Sequence, residues 1–348
     1  MNKIRANGLN QIYFDKNISD FSNIAVGLVT RAISHSLRVA YVDVSGKASK
    51  FINFLENLSL SRNFVKKFHK LHLETFTFKE KYISKGIIPL VEFYNISYEM
   101  FWNSLKNFDL IIFDNATLDV ISKYKIQNLL SEKENKTEII FTFSKEKDFW
   151  EIHSNFDIVS SFVYNENSLL LSNKNITNIY GSGKGKTLYA LGHMLRNFMM
   201  KEEVKFISFD KGSDYLGAGL FFYALKKWSN ENSFYGTFDY VFTGLNRNLE
   251  NNFRTENIGG DYREANEGLM LLNTTLRKQV PVVADELSKA ISSNLLDIRE
   301  VLGVLNLVEN ELVITGSKYI KKIDDISNRS IEVKGIKKNK EAKKGIDF

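Results

Sequence analysis

Apolar positions along the chain recur with two periods that take turns. Continuous apolar runs near residues 9–14, 37–44, 108–113 and 137–142 predict buried strands, and Ala25, Leu28, Val29 and Ala32 between them fall at the i, i+3, i+4, i+7 spacing of a helix. The second half repeats the scheme, with Leu191, Met194, Leu195 and Phe198 on one helical face and apolar runs at Val282-Val283-Ala284 and Leu312-Val313-Ile314. Strands that alternate with helices predict an α/β fold of parallel sheets with helices on both faces. Residues 58–96 and 229–260 have poor periodicity and occupy matching places, which predicts long loops at a ligand edge. The Asn-rich stretch 165–175 reads as a joint, so the expected organisation is a domain over 1–165, a linker over 166–175 and a domain over 176–348. Leu169-Leu170-Leu171 inside the joint is a candidate short strand.

The apolar Ile179-Tyr180 breaks into Gly181-Ser182-Gly183-Lys184-Gly185-Lys186-Thr187 and then into the helical pattern. This reads as a phosphate-binding loop. Glycines let the backbone turn tightly and aim successive N–H groups inward, Lys186 supplies charge to terminal phosphates, and the Thr187 hydroxyl suits Mg²⁺. Tyr180 stands where the general G-x-x-x-x-G-K-[ST] pattern has its first glycine. A Gly/Lys surface turn is the alternative. A mechanical or partitioning ATPase is a third class, and Gly181 counts against it, since such loops carry a signature lysine there.

The spacing G-x-G-K-G-K-T resembles the loop of the ATP:corrinoid adenosyltransferases, and the resemblance continues along residues 176–348. Ser208-Phe209-Asp210-Lys211-Gly212 is similar to that family's Gln-Phe-x-Lys-Gly, and Asp261-Tyr262-Arg263-Glu264-Ala265 to its Arg-x-Ala helix. Ala284-Asp285-Glu286-Leu287 is similar to its Asp-Glu-Leu, Leu296-Asp297-Ile298-Arg299-Glu300-Val301 to its Leu-Asp-x-x-Glu-Val, Thr315-Gly316 to its Thr-Gly, and Ala342 to Phe348 to its C-terminal ending. The resemblance implies a P-loop NTPase-like fold, ATP and Mg²⁺ bound by the second half, and transfer of the adenosyl group to a reduced corrinoid. In that chemistry Co(I) attacks the 5′ carbon and triphosphate leaves. Gly181, Ser182, Gly183, Lys184, Gly185, Lys186, Thr187 and Lys211 would bind the nucleotide, Thr187 with Asp285 or Glu286 would hold Mg²⁺, and Lys186 and Glu286 would carry catalysis by offsetting leaving-group charge.

On its own terms an apolar strand that ends in Asp285-Glu286 places a carboxylate at the sheet's C-terminal edge, where it can hold a cation. Asp285 as the N-cap of the next helix is the other reading. The family's Gly-Phe-x-Trp becomes Gly244-Leu245-Asn246-Arg247, so both aromatics thought to press on the corrinoid are missing. Phe238, Tyr240 and Phe242 just upstream are candidate substitutes, or else one face of a half-buried strand. Thr-Gly-Arg becomes Thr315-Gly316-Ser317 with Lys318 one place late, and Leu188 replaces a threonine. A competing function is therefore a non-catalytic ATP-binding sensor or assembly protein derived from the family.

The first half follows the second without its chemistry. Asn10-Gln11-Ile12-Tyr13 parallels Thr177-Asn178-Ile179-Tyr180, and Arg31 and Val39 parallel Arg196 and Val204 at one constant offset. Leu110 to Asn115 sits where Val282 to Glu286 does, and Ile139 to Thr142 where Leu312 to Thr315 does. Asp15-Lys16-Asn17-Ile18-Ser19 replaces the glycine loop and cannot wrap a phosphate. Two tandem related domains are the expectation, the first a degenerate duplicate. Family members are homodimers, so a homodimer or an intrachain pseudo-dimer is expected.

Composition narrows the setting. With 348 residues and 43% hydrophobic residues the chain has room for two cores. The absence of cysteine excludes disulfides, thiolate chemistry and cysteine-ligated metals, and the five histidines are read as surface or packing residues rather than ligands. No apolar run approaches the roughly eighteen residues of a membrane span and no leader is evident, so a cytoplasmic location is expected. The net charge of +6 is concentrated between Lys334 and Gly345, where six lysines face one glutamate. Such a tail is a weak nucleic-acid footprint, and no nucleic-acid partner is expected.

Overall fold

The computed structural model describes residues 9–14, 22–34, 37–44, 54, 72–78, 83–88, 94–96, 108–116, 138–144, 158–164, 174–200, 202–212, 219–231, 236–245 and 258–338. The chain divides into two compact units, Met1–Ser161 with Gly335–Asp347, and Phe162–Lys334 with Phe348.

The first unit contains β1 (Leu9–Phe14), α1 (Ser22–Ser34), β2 (Arg38–Asp43), β3 (His72–Phe78), β4 (Ile83–Ile88), β5 (Tyr94–Ile96), β6 (Leu110–Asp114) and β7 (Glu138–Ser144). Its strands run in the order β1-β7-β6-β2-β3-β4-β5. Pairing is parallel from β1 through β3. Val39 to Val42 and Leu110 to Phe113 are buried, as continuous apolar runs in a sheet covered on both faces must be. The face of α1 carrying Ala25, Leu28, Val29 and Ala32 is buried as its spacing predicts.

The expectation of a long loop over 58–96 is corrected here, because β3, β4 and β5 lie within it as an antiparallel meander. Its segments mix aromatics and threonines with Glu74, Lys85 and Gly86, so no clean period shows. Pairing with neighbours, more than local pattern, makes such segments strands. The matching stretch 229–260 likewise holds a strand, described below. Leu169-Leu170-Leu171 lies outside the described residues.

Strand β8 (Ile158–Tyr164) carries the chain into the second unit. There follow β9 (Ile176–Tyr180), α2 (Lys186–Met199), β10 (Val204–Phe209), α3 (Gly219–Glu231), β11 (Phe238–Thr243), α4 (Gly259–Arg277), β12 (Val282–Asp285), α5 (Leu287–Ser292), α6 (Ile298–Leu305), β13 (Leu312–Gly316), α7 (Lys321–Asp324) and β14 (Arg329–Lys338). The strand order is β11-β10-β12-β13-β9-β14, parallel throughout.

Alternation along these strands separates two environments. Ile207, Phe209, Val282, Ala284, Leu312 and Ile314 join one apolar cluster with α4, α5 and α6. Ser208, Asp285 and Thr315, at the other parity, fall on the opposite face. Helix α2 packs against β10, β12 and β13 and buries Leu188, Leu191, Met194, Leu195 and Phe198, each contributing about 1.5–3 kcal/mol. Local signals start the other helices. The Asp261 carboxylate accepts the Ile258 N–H at 2.9 Å at the head of α4, and Asp297 accepts the Arg299 N–H at 2.7 Å at the head of α6. Among the described residues no helix is long and apolar enough to cross a membrane.

Candidate functional site

The Gly-Lys loop joins the C-terminal end of β9 to α2, so its residues lie at the carboxyl edge of the sheet, where open α/β sheets bind ligands. Gly185 is the N-cap of α2 at φ 106° and Lys186 is the first helical residue. The loop is also clamped from the side. The Gly183 N–H donates to the Val333 carbonyl at 2.7 Å, and a Cβ on Gly181 or Gly183 would come within 2.4 or 2.8 Å of the backbone of Val333 or Lys334. Gly181 additionally sits at φ 118°, a conformation that disfavours side chains. These two glycines are therefore required by strand β14, before any ligand is considered. Lys186 Nζ donates to the Gly183 carbonyl, closing the loop on itself. Burial pulls the Lys186 ammonium below the ordinary lysine range, and Lys211 adds to that while Glu286 and Asp285 oppose it.

Asp285 ends β12 with no exposed surface and accepts from four groups. Thr187 Oγ1 (2.8 Å) and Thr315 Oγ1 (2.6 Å) donate to Oδ1, and Ser208 Oγ (3.2 Å) and Lys211 Nζ (2.9 Å) donate to Oδ2. Burial alone would raise its pKa, but the Lys211 charge and the hydroxyl donors overcome that and hold the carboxyl below its usual range. Burial likewise opposes the Lys211 ammonium, and Asp285 with Glu286 reverses it, pushing its pKa above the usual lysine value. The two form a buried pair with both members ionised.

Asp285 does not cap the helix that follows. Glu286 is the N-cap of α5, and its side chain makes no cap bond. Its backbone is left-handed at φ 60°, a costly conformation for a residue with a side chain, and the Glu286 N–H is secured by Thr315 Oγ1 at 2.9 Å. Glu286 Oε1 lies 3.3 Å from Lys211 Nζ, while Oε2 is buried without a hydrogen-bond partner among the described residues. Such an orphaned carboxylate oxygen asks for a cation.

Of the residues expected from the sequence, the fold brings Lys186, Thr187, Lys211, Asp285 and Glu286 together, with Lys211 Nζ 3.4 Å from Thr187 Oγ1. Gly181, Ser182, Gly183, Lys184 and Gly185 form the adjoining loop. Ser208 and Thr315 belong to the same network, and their roles were not legible beforehand. Both stand in segments that resemble the family's, Ser208 to Gly212 and Thr315-Gly316, but only register decides what their hydroxyls meet.

The upstream aromatics are committed elsewhere. Phe238, Tyr240 and Phe242 share one side of β11 and pack on Phe222 of α3, with centroids at 5.4, 5.4 and 6.2 Å. This is the half-buried strand reading. Leu245, in the place of the first family aromatic, lies beside Gly260 at the start of α4; Asn246 and Arg247 lie outside the described residues.

Comparison with curated proteins finds no match. A family model does match, over residues 173–348, more than half of the chain: ATP:corrinoid adenosyltransferase BtuR/CobO/CobP. The matched span takes in β9, the Gly-Lys loop and every residue of the Asp285 network, and on that match the chain belongs to the ATP:corrinoid adenosyltransferase family.

Proposed function

We propose that the second unit binds Mg·ATP on residues 181–187 and transfers the 5′-deoxyadenosyl group to a Co(I) corrinoid, the carbon–cobalt bond forming as the C5′–oxygen bond breaks and triphosphate leaves. The observation that carries this reading is the Thr187–Asp285–Glu286 arrangement. Thr187 donates its hydroxyl hydrogen bond to Asp285 and accepts a long one from Lys211 at 3.4 Å, which leaves one oxygen lone pair for a cation, and Glu286 Oε2 is the unsatisfied oxygen nearby in the same network. Thr187 and Glu286 fit a hard divalent cation, with Asp285 acting through Thr187 because its own oxygens are already engaged. Bound there, Mg²⁺ would supply charge stabilisation to the departing triphosphate. Lys186, freed from the Gly183 carbonyl, and Lys184 add positive charge to the same oxygens, and the loop amides orient them. None of these groups needs to move a proton.

Purified protein mixed anaerobically with ATP, Mg²⁺ and chemically reduced cobalamin tests this. A new cobalt–carbon absorbance with one triphosphate released per adenosyl group is expected, and none under strongly reducing conditions would sink the transferase reading. One observation favours a second reading, ATP binding without transfer: Leu245 replaces an aromatic at the place where the family presses on its corrinoid. ATP affinity without adenosylation would mark it.

We propose further that the chain is a tandem duplication, with a second unit that binds nucleotide and a first unit that is its degenerate copy, consistent with domains over 1–165 and 176–348. The order β1-β7-β6-β2-β3 repeats as β9-β13-β12-β10-β11. The strand-end lock repeats too: Thr142 Oγ1 donates to Asp114 Oδ1 at 2.7 Å and accepts the Asn115 N–H at 2.9 Å, with Asn115 left-handed at φ 55°. Where Ser208 stands in register with Asp285, Asp43 stands in register with Asp114. Two buried carboxylates repel a polyphosphate, so the copy serves as scaffold.

A further inference from the structure

Tyr319 is one of six large side chains with apolar bodies that stay exposed among the described residues, and among them it has a ring contact at the Gly-Lys loop. It lies three residues past the end of β13, and its ring centroid is 5.0 Å from that of Tyr180, the last residue of β9 before Gly181. Gly316 and Tyr180 are register partners, so both chain segments reach the carboxyl edge of the sheet side by side. The ring is also fixed at its far end. Tyr319 Oη donates to Asp324 Oδ2 at 3.1 Å, and Asp324, itself buried, is held by the Ser330 hydroxyl. Half of Tyr319 nonetheless remains open, at 51% relative exposure. A ring backed by an aromatic and tied at its hydroxyl has already lost its rotamer freedom, so a flat ligand stacking on it orders nothing further.

We propose that Tyr319 is the stacking platform for the purine base of the nucleotide whose phosphates lie on residues 181–187. This rests on the assignment of those residues as the phosphate site. It names a base-binding residue that the loop pattern does not contain. The departure of Tyr180 from the general loop pattern then has a use, because a glycine at that position would leave the Tyr319 ring without its backing. Stacking supplies affinity for any base with a π-face, so the platform accounts for base binding and leaves base identity to hydrogen bonds elsewhere.

Titration calorimetry with two probes, ATP and inorganic triphosphate, in Mg²⁺ separates the platform from the phosphate site. Tyr319→Ala and Tyr319→Leu should weaken ATP by about five- to a hundred-and-fiftyfold and leave triphosphate within about twofold. Tyr319→Phe should keep most of the ATP affinity and all of the triphosphate affinity, since the ring and its backing persist and only the hydroxyl tie to Asp324 is lost. Leucine keeps apolar cover over Tyr180 without a π-face, so it guards against simple loss of packing. Unchanged ATP affinity in both Tyr319→Ala and Tyr319→Leu, or equal weakening of ATP and triphosphate, overturns the platform while leaving the phosphate site standing. Failure of the wild type to bind either probe removes the phosphate site, and the platform with it.

Discussion

Thr315 and Thr142 make the same two contacts in different units, which allows one substitution to be its own control. Thr315→Val keeps the shape of a side chain with no exposed surface and deletes one hydroxyl. The loss has two parts. The Glu286 N–H, which bonded to Thr315 Oγ1 at 2.9 Å, is left unsatisfied in a left-handed backbone, and Asp285 loses the shortest of its four donors. An orphaned buried amide costs about 1–3 kcal/mol and a hydrogen bond to a charged group about 1.5–3 kcal/mol. With three donors remaining on Asp285, a combined destabilisation of about 2–4 kcal/mol is expected. Thr142→Val removes the equivalent bonds at 2.7 and 2.9 Å and should cost a similar amount. Function should divide them. Thr187 shares Oδ1 of Asp285 with Thr315, so Thr315→Val loosens the Thr187 hydroxyl and should weaken Mg·ATP about five- to tenfold, whereas Thr142→Val should leave ATP affinity unchanged. Urea unfolding at pH 7 reads the first quantity and calorimetry on the folded protein reads the second. If the two variants impair ATP binding equally, or Thr315→Val unfolds at the wild-type midpoint, the assignment of Thr315 as the lock on the site is wrong.

Glu286→Gln should lower adenosyl transfer far more than ATP affinity, which should stay within about tenfold, because cation contact strengthens as the leaving group gains charge; an equal loss in both quantities would count against that role. ATP should bind once per chain, and Lys186→Ala should cost about 1.5–3 kcal/mol of that affinity, so calorimetry giving two equivalent sites would refute the scaffold role of the first unit. The Asp285–Lys211 pair sets a pH window. Asp285 titrates below its unfolded value of about 3.9, so its contribution is present above that pH and is lost as pH falls through the depressed value. Lys211 titrates above its unfolded value of about 10.4, so its contribution is present below that pH and is lost only as pH rises past the raised value. Urea midpoints measured across pH should be flat between these limits as far as this pair is concerned, and Asp285→Asn should be destabilised throughout and lack the pair's acid step.

Much of this architecture was legible because buried parallel strands advertise themselves. β1, β2, β6 and β7 coincide with the apolar runs near 9–14, 37–44, 108–113 and 137–142, and the glycine spacing marked the loop before α2. The antiparallel β3–β5 were not legible, since their polar positions break the period and their partners lie on other strands. At the site, Asp285 and Glu286 were recognisable as a strand-end pair but their roles were not. Which carboxylate is saturated and which keeps an open oxygen depends on Ser208 and Thr315, residues that only register brings within bonding distance. The sideways clamp by Val333 and the Tyr180–Tyr319 contact join segments far apart in sequence, and no local pattern encodes them.

Strand β9, which carries the loop, has β13 and β14 as its two neighbours, and both come from the far end of the chain. During synthesis Ile176 leaves the ribosome roughly seven to thirty seconds before Leu312, at about 5–20 residues per second. For that interval the strand that carries the Gly-Lys loop has neither hydrogen-bonded edge filled. Parallel pairing across such a separation closes slowly and leaves an apolar edge open to other chains meanwhile. ATP cannot rescue this interval, because Thr315 and Val333, which set the site and clamp the loop, are made after it. Nascent chains stalled before residue 312 should therefore depend on holding chaperones, and a stop codon ahead of Arg329 should yield a protein that aggregates through the bare side of β9.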